Sequence, residues 1–385
     1  MATIQEPLLT LFRKVCVLVS AGFVAGCSGD VPLPTAVTTP AVEAAFLEVS
    51  TSPIPLTPLV ELTIPTFDKS GQVVHPDVVH FPAGWHGWEY WMAMTPFPGG
   101  NEAFENPSIV VSHDGLSWQV PAGLTNPLAR TPGKGGYNSD PDLSYDLANN
   151  RLVLLYREVS TSENLISTVT SLDGVHWSKP ALAFRRPNHS MVSPTVTFGP
   201  SGNPTLWYVD AGPKKCAERT THVMMEQGSS PAALRPAAPD KGWTAPKMNL
   251  IQPRKNIWHM DVTWVPERSE YWATYVAYPG HDCFGQDLYF ARSSDGVKWT
   301  TYSIPFLRHG ESSWTGNTLY RASVLYDASR NAIQFFVSAA ATDKTWHVGY
   351  VDYNLSSFLA SLENGFPVLV PATSRAPDTG PVIEP

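Results

Sequence analysis

The sequence carries no basic stripe and no acidic block. Its 26 Lys and Arg stand against 34 Asp and Glu, and the net charge of −8 is spread along 385 residues. Without a patch that could neutralise phosphates, nucleic acid is excluded as a partner. Dispersed acidity of this kind serves solubility. Cysteine is scarce at 4 residues, with no C-x-x-C spacing, which argues against a thiolate metal cluster. There is no G-x-S-x-G elbow and no glycine-rich phosphate loop, so neither a serine hydrolase of that type nor a nucleotide site is indicated. No apolar run reaches the ~20 residues of a comfortable membrane helix.

What is present points to many short strands. Hydrophobic residues make up 43% of the chain, 13 Trp are among them, and 27 Gly with 36 Pro supply frequent turns. A chain of this length can form a single all-β unit. At the N-terminus, Arg13 and Lys14 precede the apolar stretch "VCVLVSAGFVAG", which ends at Cys27. Val24-Ala25-Gly26-Cys27 resembles the lipobox of bacterial lipoproteins. The resemblance implies a signal peptide over 1–26, lipid on Cys27, and a protein held on the periplasmic or extracellular face of the cell envelope. Residues 27–65, rich in Pro and Thr, read as a tether, with "LVELTIP" at its end also readable as a first strand, and 366–385 as a C-terminal tail. Cys216 and Cys283 then remain as an even pair in an oxidising compartment and suit one disulfide, with free thiols as the alternative.

A turn recurs: "SHDGLSW" (112–118), "SLDGVHW" (171–177) and "SSDGVKW" (293–299). Asp-Gly tolerates the positive φ of hairpin turns, and the following Trp is placed to plug a gap between packed sheets. A second register runs alongside it. Strand starts occur at "HPDVVHF" (75), "DPDLSYD" (140), "SPTVTFG" (193), "HMDVTWV" (259) and "YRASVLYD" (320). Units of about 60 residues, each with three or four strands, predict a five-bladed β-propeller over 66–365. A β-sandwich has no reason to repeat in this way.

The blade starts and S-x-D-G-x-x-W turns resemble the five-bladed propeller glycosidases of glycoside hydrolase families 43 and 32 and their relatives. Family 43 implies a base Asp on blade one, a supporting Asp on blade three and an acid Glu on blade four. Asp77 matches the first position, whereas Asp261 stands where Glu would be. Blade three offers Ser193 and Thr195 instead, which passes the supporting role to Asp142. The family's Asp-Pro dipeptide occurs here at Asp140-Pro141, on blade two.

Independently of that resemblance, residues i and i+2 of a strand share a face. Collected by blade, the channel-facing positions are His75 and Asp77, Asp140 and Asp142, Ser193 and Thr195, His259 and Asp261, and Tyr320 and Ala322. Four Asp and two His therefore converge at one channel mouth. Clustered carboxylates raise at least one pKa, which supplies the acid and base that glycosidic-bond cleavage needs. Asp77, Asp142 and Asp261 are the expected catalytic set. His75, Asp140 and His259 are expected to contact substrate. So are Arg157 and Arg321, for which ion pairing with the carboxylates is the compatible alternative. The loop 99–108 adds Glu105 and Asn106, the blade-two loop adds Glu158, and Trp258 and Trp314 offer sugar-stacking faces.

The expected protein is thus a monomeric glycoside hydrolase whose partners are an oligo- or polysaccharide and, through its lipid, a membrane. The reading requires no cofactor, although His75 and His259 with Asp77 and Asp261 could bind a divalent ion in the channel. A non-catalytic glycan-binding propeller is the rival, and phosphorolysis using Arg157 and Arg321 a third reading.

Overall fold

The computed structural model describes residues 48–50, 53–160, 164–186, 190–211, 221–234, 255–278, 284–364 and 368–370. Within them, five antiparallel sheets follow one another along the chain as the blades of a β-propeller. Blade one comprises Val73–Trp85, Trp88–Pro96 and Ser108–Ser112. Blade two has Tyr137–Asp146, Arg151–Val159, Asn164–Ser171 and Ala181–Arg185. Blade three has Met191–Phe198, Pro204–Asp210 and His222–Gln227. Blade four has Asn256–Val265, Glu270–Tyr278, Asp287–Ser293 and Thr300–Thr301. Blade five has Thr318–Asp327, Ala332–Ala340 and Trp346–Asn354.

The outermost strand of blade five comes from the other end of the chain. Thr57–Leu62 pairs antiparallel with Trp346–Asn354, through Val60↔Tyr350 and Leu62↔Val348. The expected tether therefore stops short of residue 65. The first strand that "LVELTIP" allowed is present and is followed by a core residue: Leu62 and Ile64 are buried. A separate two-stranded ladder joins Glu48–Ser50 to Val368–Val370, which places regular backbone in both the expected tether and the expected tail. The signal segment, Cys27, Cys216 and Cys283 lie outside the described residues.

Second strands are covered on both faces by neighbouring blades, so they read as unbroken apolar runs. Leu152, Val153, Leu154, Leu155 and Tyr156 are all buried. Each residue of the repeated turn has a structural task. The Ser hydroxyl accepts the Gly N–H (Gly115 2.9 Å, Gly174 2.8 Å, Gly296 2.9 Å). The Asp carboxylate accepts two further N–H groups, as Asp114 does from Leu116 at 2.8 Å and Ser117 at 2.7 Å. The Trp indole donates back to the Gly carbonyl (Trp118 3.0 Å, Trp177 3.0 Å, Trp299 3.1 Å).

The bare Gly leaves room for an aromatic ring from the preceding blade. Trp91 of blade one covers Gly174, Trp207 of blade three covers Gly296, and Phe336 of blade five approaches Gly115. The turns are thus joints between blades as well as hairpin ends. Past the last blade, Leu355–Asn364 forms a helix that the strand pattern did not predict. Its buried Leu355, Phe358 and Leu362 fall at i, i+3 and i+7, which is one helical face. Phe358 packs among Phe290, Phe306, Phe335 and Tyr353.

Gly174→Ala should cost about 1–2 kcal/mol for its positive φ and a further ~1–3 kcal/mol for overlap with the Trp91 ring. Gly115→Ala, with the same kind of φ but its nearest neighbour at 3.5 Å, should pay the backbone term alone. Urea unfolding of the two variants checks the order.

Candidate active site

All five inner strands carry a β-bulge near their first residues, between Val74 and Asp77, Ser139 and Asp142, Val192 and Thr195, Ile257 and Met260, and Leu319 and Ala322. On blades one to three the bulged residue has positive φ: His75 57°, Asp140 51° and Ser193 52°. A bulge sets two residues against one, so side chains that would alternate are brought to one side. The predicted residues do converge at the channel mouth, but they form two layers instead of one cluster.

The deeper layer holds Asp77, Asp142 and Asp261, whose carboxylate oxygens lie within 4.8 Å of one another. Each accepts a backbone N–H from the following blade: Asp77 from Leu143 (2.8 Å), Asp142 from Val196 (2.8 Å) and Asp261 from Val324. Thr195 Oγ1 takes the same part for Val262 (3.1 Å) and Ser323 Oγ for Val78 (3.0 Å), closing a five-membered ring of blade-to-blade bonds. This ring gives the true register of blade five, in which Arg321 and Ser323 face the channel. The expected pair Tyr320 and Ala322 is one residue out, because the blade-five bulge falls one position earlier relative to the ring and breaks the period-2 count.

Arg321, with 0% exposure, fills the centre of this layer. Its Nη2 lies 2.9 Å from Asp142, 3.5 Å from Asp77 and 3.6 Å from Asp261, and its Nη1 donates to the Pro141 carbonyl at 2.9 Å. Asp77, Asp142 and Asp261 are exposed by 4%, 1% and 3%. One guanidinium cannot balance three ionised carboxylates, and the layer retains protons. Burial, then Asp142, push Asp77 well up; burial raises Asp142 to about 6; burial, then Asp77, raise Asp261 to about 7. This is a sealed polar plug, and Arg321 takes the ion-pairing role in it.

The layer above it is His75, Asp140 and His259, again with ligating atoms within 4.8 Å. His75 Nε2 stands 2.9 Å from Asp140 Oδ1, and His259 Nδ1 3.5 Å from the same oxygen. On the far side of the ring, His75 Nδ1 meets Thr95 Oγ1 at 3.1 Å, and that hydroxyl donates to the Val74 carbonyl. In the tautomer whose Nδ1 proton goes to the Thr95 oxygen, Nε2 turns a lone pair toward the carboxylate. Two electron-rich atoms this close call for a proton or a cation between them. Burial disfavours the proton, lowering the pKa of His75 and driving that of His259 well down. Among the described residues, neither ring nitrogen of His259 has a hydrogen-bond partner, and the 2.9 Å approach of His75 Nε2 lacks hydrogen-bond geometry. Neutral imidazoles beside a carboxylate fit a divalent ion, with Thr95 as the outer partner that fixes the His75 ring. The sequence grouped these histidines with Asp77 and Asp261; the structure groups them with Asp140.

Asp140 is itself held in place. Its Oδ2 accepts the Ser193 N–H at 3.2 Å and pairs with Arg157 Nη1 at 3.6 Å. Although burial opposes ionisation, His75 and His259 among others keep Asp140 well below the usual carboxylate range. Arg157 also donates to Ser190 Oγ at 3.1 Å, so it serves as an ion-pair partner. Glu105, pushed well up by burial and then by Asp140, lies 3.9 Å from His75 Nδ1. Asn106 is buried beside it and accepts from Asn138 Nδ2 at 2.8 Å. Glu158 accepts from Ser167 Oγ at 3.2 Å on the other face of its strand from Arg157. Trp258 stands edge-on to His259 with ring centroids 5.9 Å apart. Trp314 is an inter-strand wedge, packed over Gly349, and offers no open face. Thr95 is a member of the site that sequence reasoning missed, and Tyr320, collected there as a channel-facing position, was given no role. Tyr320, half-buried, lies over both histidines at 3.9 Å from the His259 ring and 5.3 Å from His75.

No family model matches the chain. A curated relative, the A type blood N-acetyl-alpha-D-galactosamine deacetylase of Flavonifractor plautii, is 27% identical over 306 residues, covering 68% of this chain. The chain spans 38% of that relative's length. The crystal structure of an N-acetylgalactosamine deacetylase from F. plautii, in complex with blood group B trisaccharide, superposes with a TM-score of 0.72 at 22% identity, covering 81% of this chain and 97% of that one. A thermostable family-43 glycoside hydrolase gives 0.52 at 14% identity, covering 72% and 88%. These likenesses bear out the five-bladed propeller.

The raised pKa of Asp261 has a defined sign. The folded chain keeps a proton that the unfolded chain has released, so this group lowers stability as pH rises from about 4 to about 7. Asp261→Asn retains the acceptor and removes that titration. Its stability relative to the parent should therefore improve between pH 5 and pH 8, by on the order of 2–4 kcal/mol. Thermal scans at the two pH values check this.

Proposed function

We propose that the protein is a glycan-acting hydrolase, as its sequence leads one to expect, and that the bond it breaks is the amide of an N-acetylated sugar. The observation that carries this reading is the buried His259, which among the described residues has no hydrogen-bond partner at either ring nitrogen and stands beside Asp140 and His75. His75, Asp140 and His259 would hold a divalent ion, which when bound supplies a water of lowered pKa and polarises an acyl oxygen. The chain's own groups prepare that centre. Burial keeps the two imidazoles neutral and ready to ligate. Arg157 and the Ser193 N–H anchor Asp140 Oδ2, which leaves Oδ1 directed at the histidines. Below this layer Arg321 and the three carboxyls fill the centre of the ring of blades. The names of the F. plautii relatives support an N-acetyl sugar as the substrate class.

The second reading, cleavage of a glycosidic bond by Asp77, Asp142 and Asp261, draws on the different upward shifts of those three carboxyls and on the family-43 likeness. Their burial and their bonds to neighbouring blades weigh against it. The lipobox-like segment supports a lipid-held protein that meets its glycan outside the cytoplasm.

The test is product analysis on N-acetylated glycans, scoring acetate and free amine against released sugar, before and after chelation. Acetate should appear, stop with chelator and return with divalent ion. His259→Ala and Asp140→Asn should each lose at least the ~10–100-fold that disturbed outer partners of a metal cost, while Asp261→Asn stays active. Released sugar that disappears in Asp261→Asn would sink the amide reading in favour of the second.

A further inference from the structure

Amide hydrolysis at this centre creates negative charge on the acyl oxygen, and a donor must wait where that charge appears. We infer that Tyr320 is a catalytic residue whose phenolic O–H donates a hydrogen bond to the substrate's acyl oxygen. The inference rests on the deacetylation reading above and names a residue that the reading does not need.

Tyr320 is the first residue of the blade-five bulge, which turns it out of the plug register and over the layer above. Its ring covers both histidines, at 3.9 Å from His259 and 5.3 Å from His75, and is braced from behind by Trp346 at 5.0 Å. It is half-buried, whereas His75, Asp140 and His259 are closed off at 1–2% exposure. Tyr320 is therefore the polar side chain of this layer that an incoming sugar meets. Among the described residues the buried Trp258 indole N–H has no hydrogen-bond partner, and its ring stands edge-on to His259 on the same side of the layer. Braced aromatic packing fixes the donor before substrate arrives, which is the condition for an oxyanion donor to lower a barrier.

The step balances without a redox partner. A water oxygen bonds to the acyl carbon, the C–N bond breaks, the nitrogen takes up a proton to leave as the amine, and acetate departs. Tyr320 lends its hydrogen bond while the carbon is tetrahedral and keeps its proton throughout.

Tyr320→Phe removes the oxygen and preserves the ring. On an N-acetylated glycan we expect kcat to fall about 100-fold or more, with KM within about threefold of the parent because the lost bond belongs to the transition state. Bound metal per chain and melting temperature should match the parent. An unchanged kcat would overturn the inference, and so would a fall in kcat that comes with lost metal or lost stability, since either makes Tyr320 a packing element. A parent that releases no acetate from any N-acetylated glycan overturns the deacetylation reading together with this inference, and that outcome is seen before any substitution is made.

Discussion

The fold hangs on one guanidinium. Arg321 sits where five inner strands come closest, and it holds three buried carboxyls that would otherwise repel one another and the low-dielectric core. Those carboxyls in turn accept N–H groups from the next blade, with Thr195 and Ser323 completing the circuit. Removing the cation would leave buried charge uncompensated, which costs far more than the pair contributes when intact. Its position also separates structure from chemistry. The plug takes up the acidic residues that look most catalytic, and leaves a smaller, neutral-imidazole site above it.

That upper site is built differently from the plug beneath it. His75 and Asp140 reach the channel mouth because their backbones take the left-handed conformation at a bulge, a geometry that costs energy and is tolerated where the surroundings determine it. Thr95, Ser193 and Arg157 then fix the orientations of groups they flank. Burial and charge bring two histidines and a carboxylate within ligating distance of one another.

Much of this was legible in the residues. The Asp-Gly turns and the spacing of the strand starts announced five blades, because Ser, Asp, Gly and Trp each make a local bond that repeats wherever the motif does. His75, Asp140 and His259 were singled out for the same reason: polar side chains at the head of apolar strands must face something. What could not be read was depth. Residues i and i+2 share a face but differ by about 6.5 Å along the strand, and that offset decides which Asp is sealed and which meets the histidines. The bulges hid the blade-five register, so Arg321 and Tyr320 exchanged apparent roles. Leu355–Asn364 was passed over because its i, i+3, i+7 face follows directly on a strand, whereas "LVELTIP" did read as a candidate first strand.

The strand Thr57–Leu62 closes blade five across nearly the whole chain, and Thr57 donates its N–H to Asp352 Oδ1 over 295 residues of separation. In a chain made from its N-terminus, this strand emerges before every blade and waits for a partner in the last of them. Until Trp346–Asn354 exists, it is an unpaired edge with half its face apolar, open to the wrong neighbour. The ring is therefore a clasp that snaps shut only when the final blade is complete. A chain truncated before that blade would lose the clasp for the whole circle along with one fifth of the wheel.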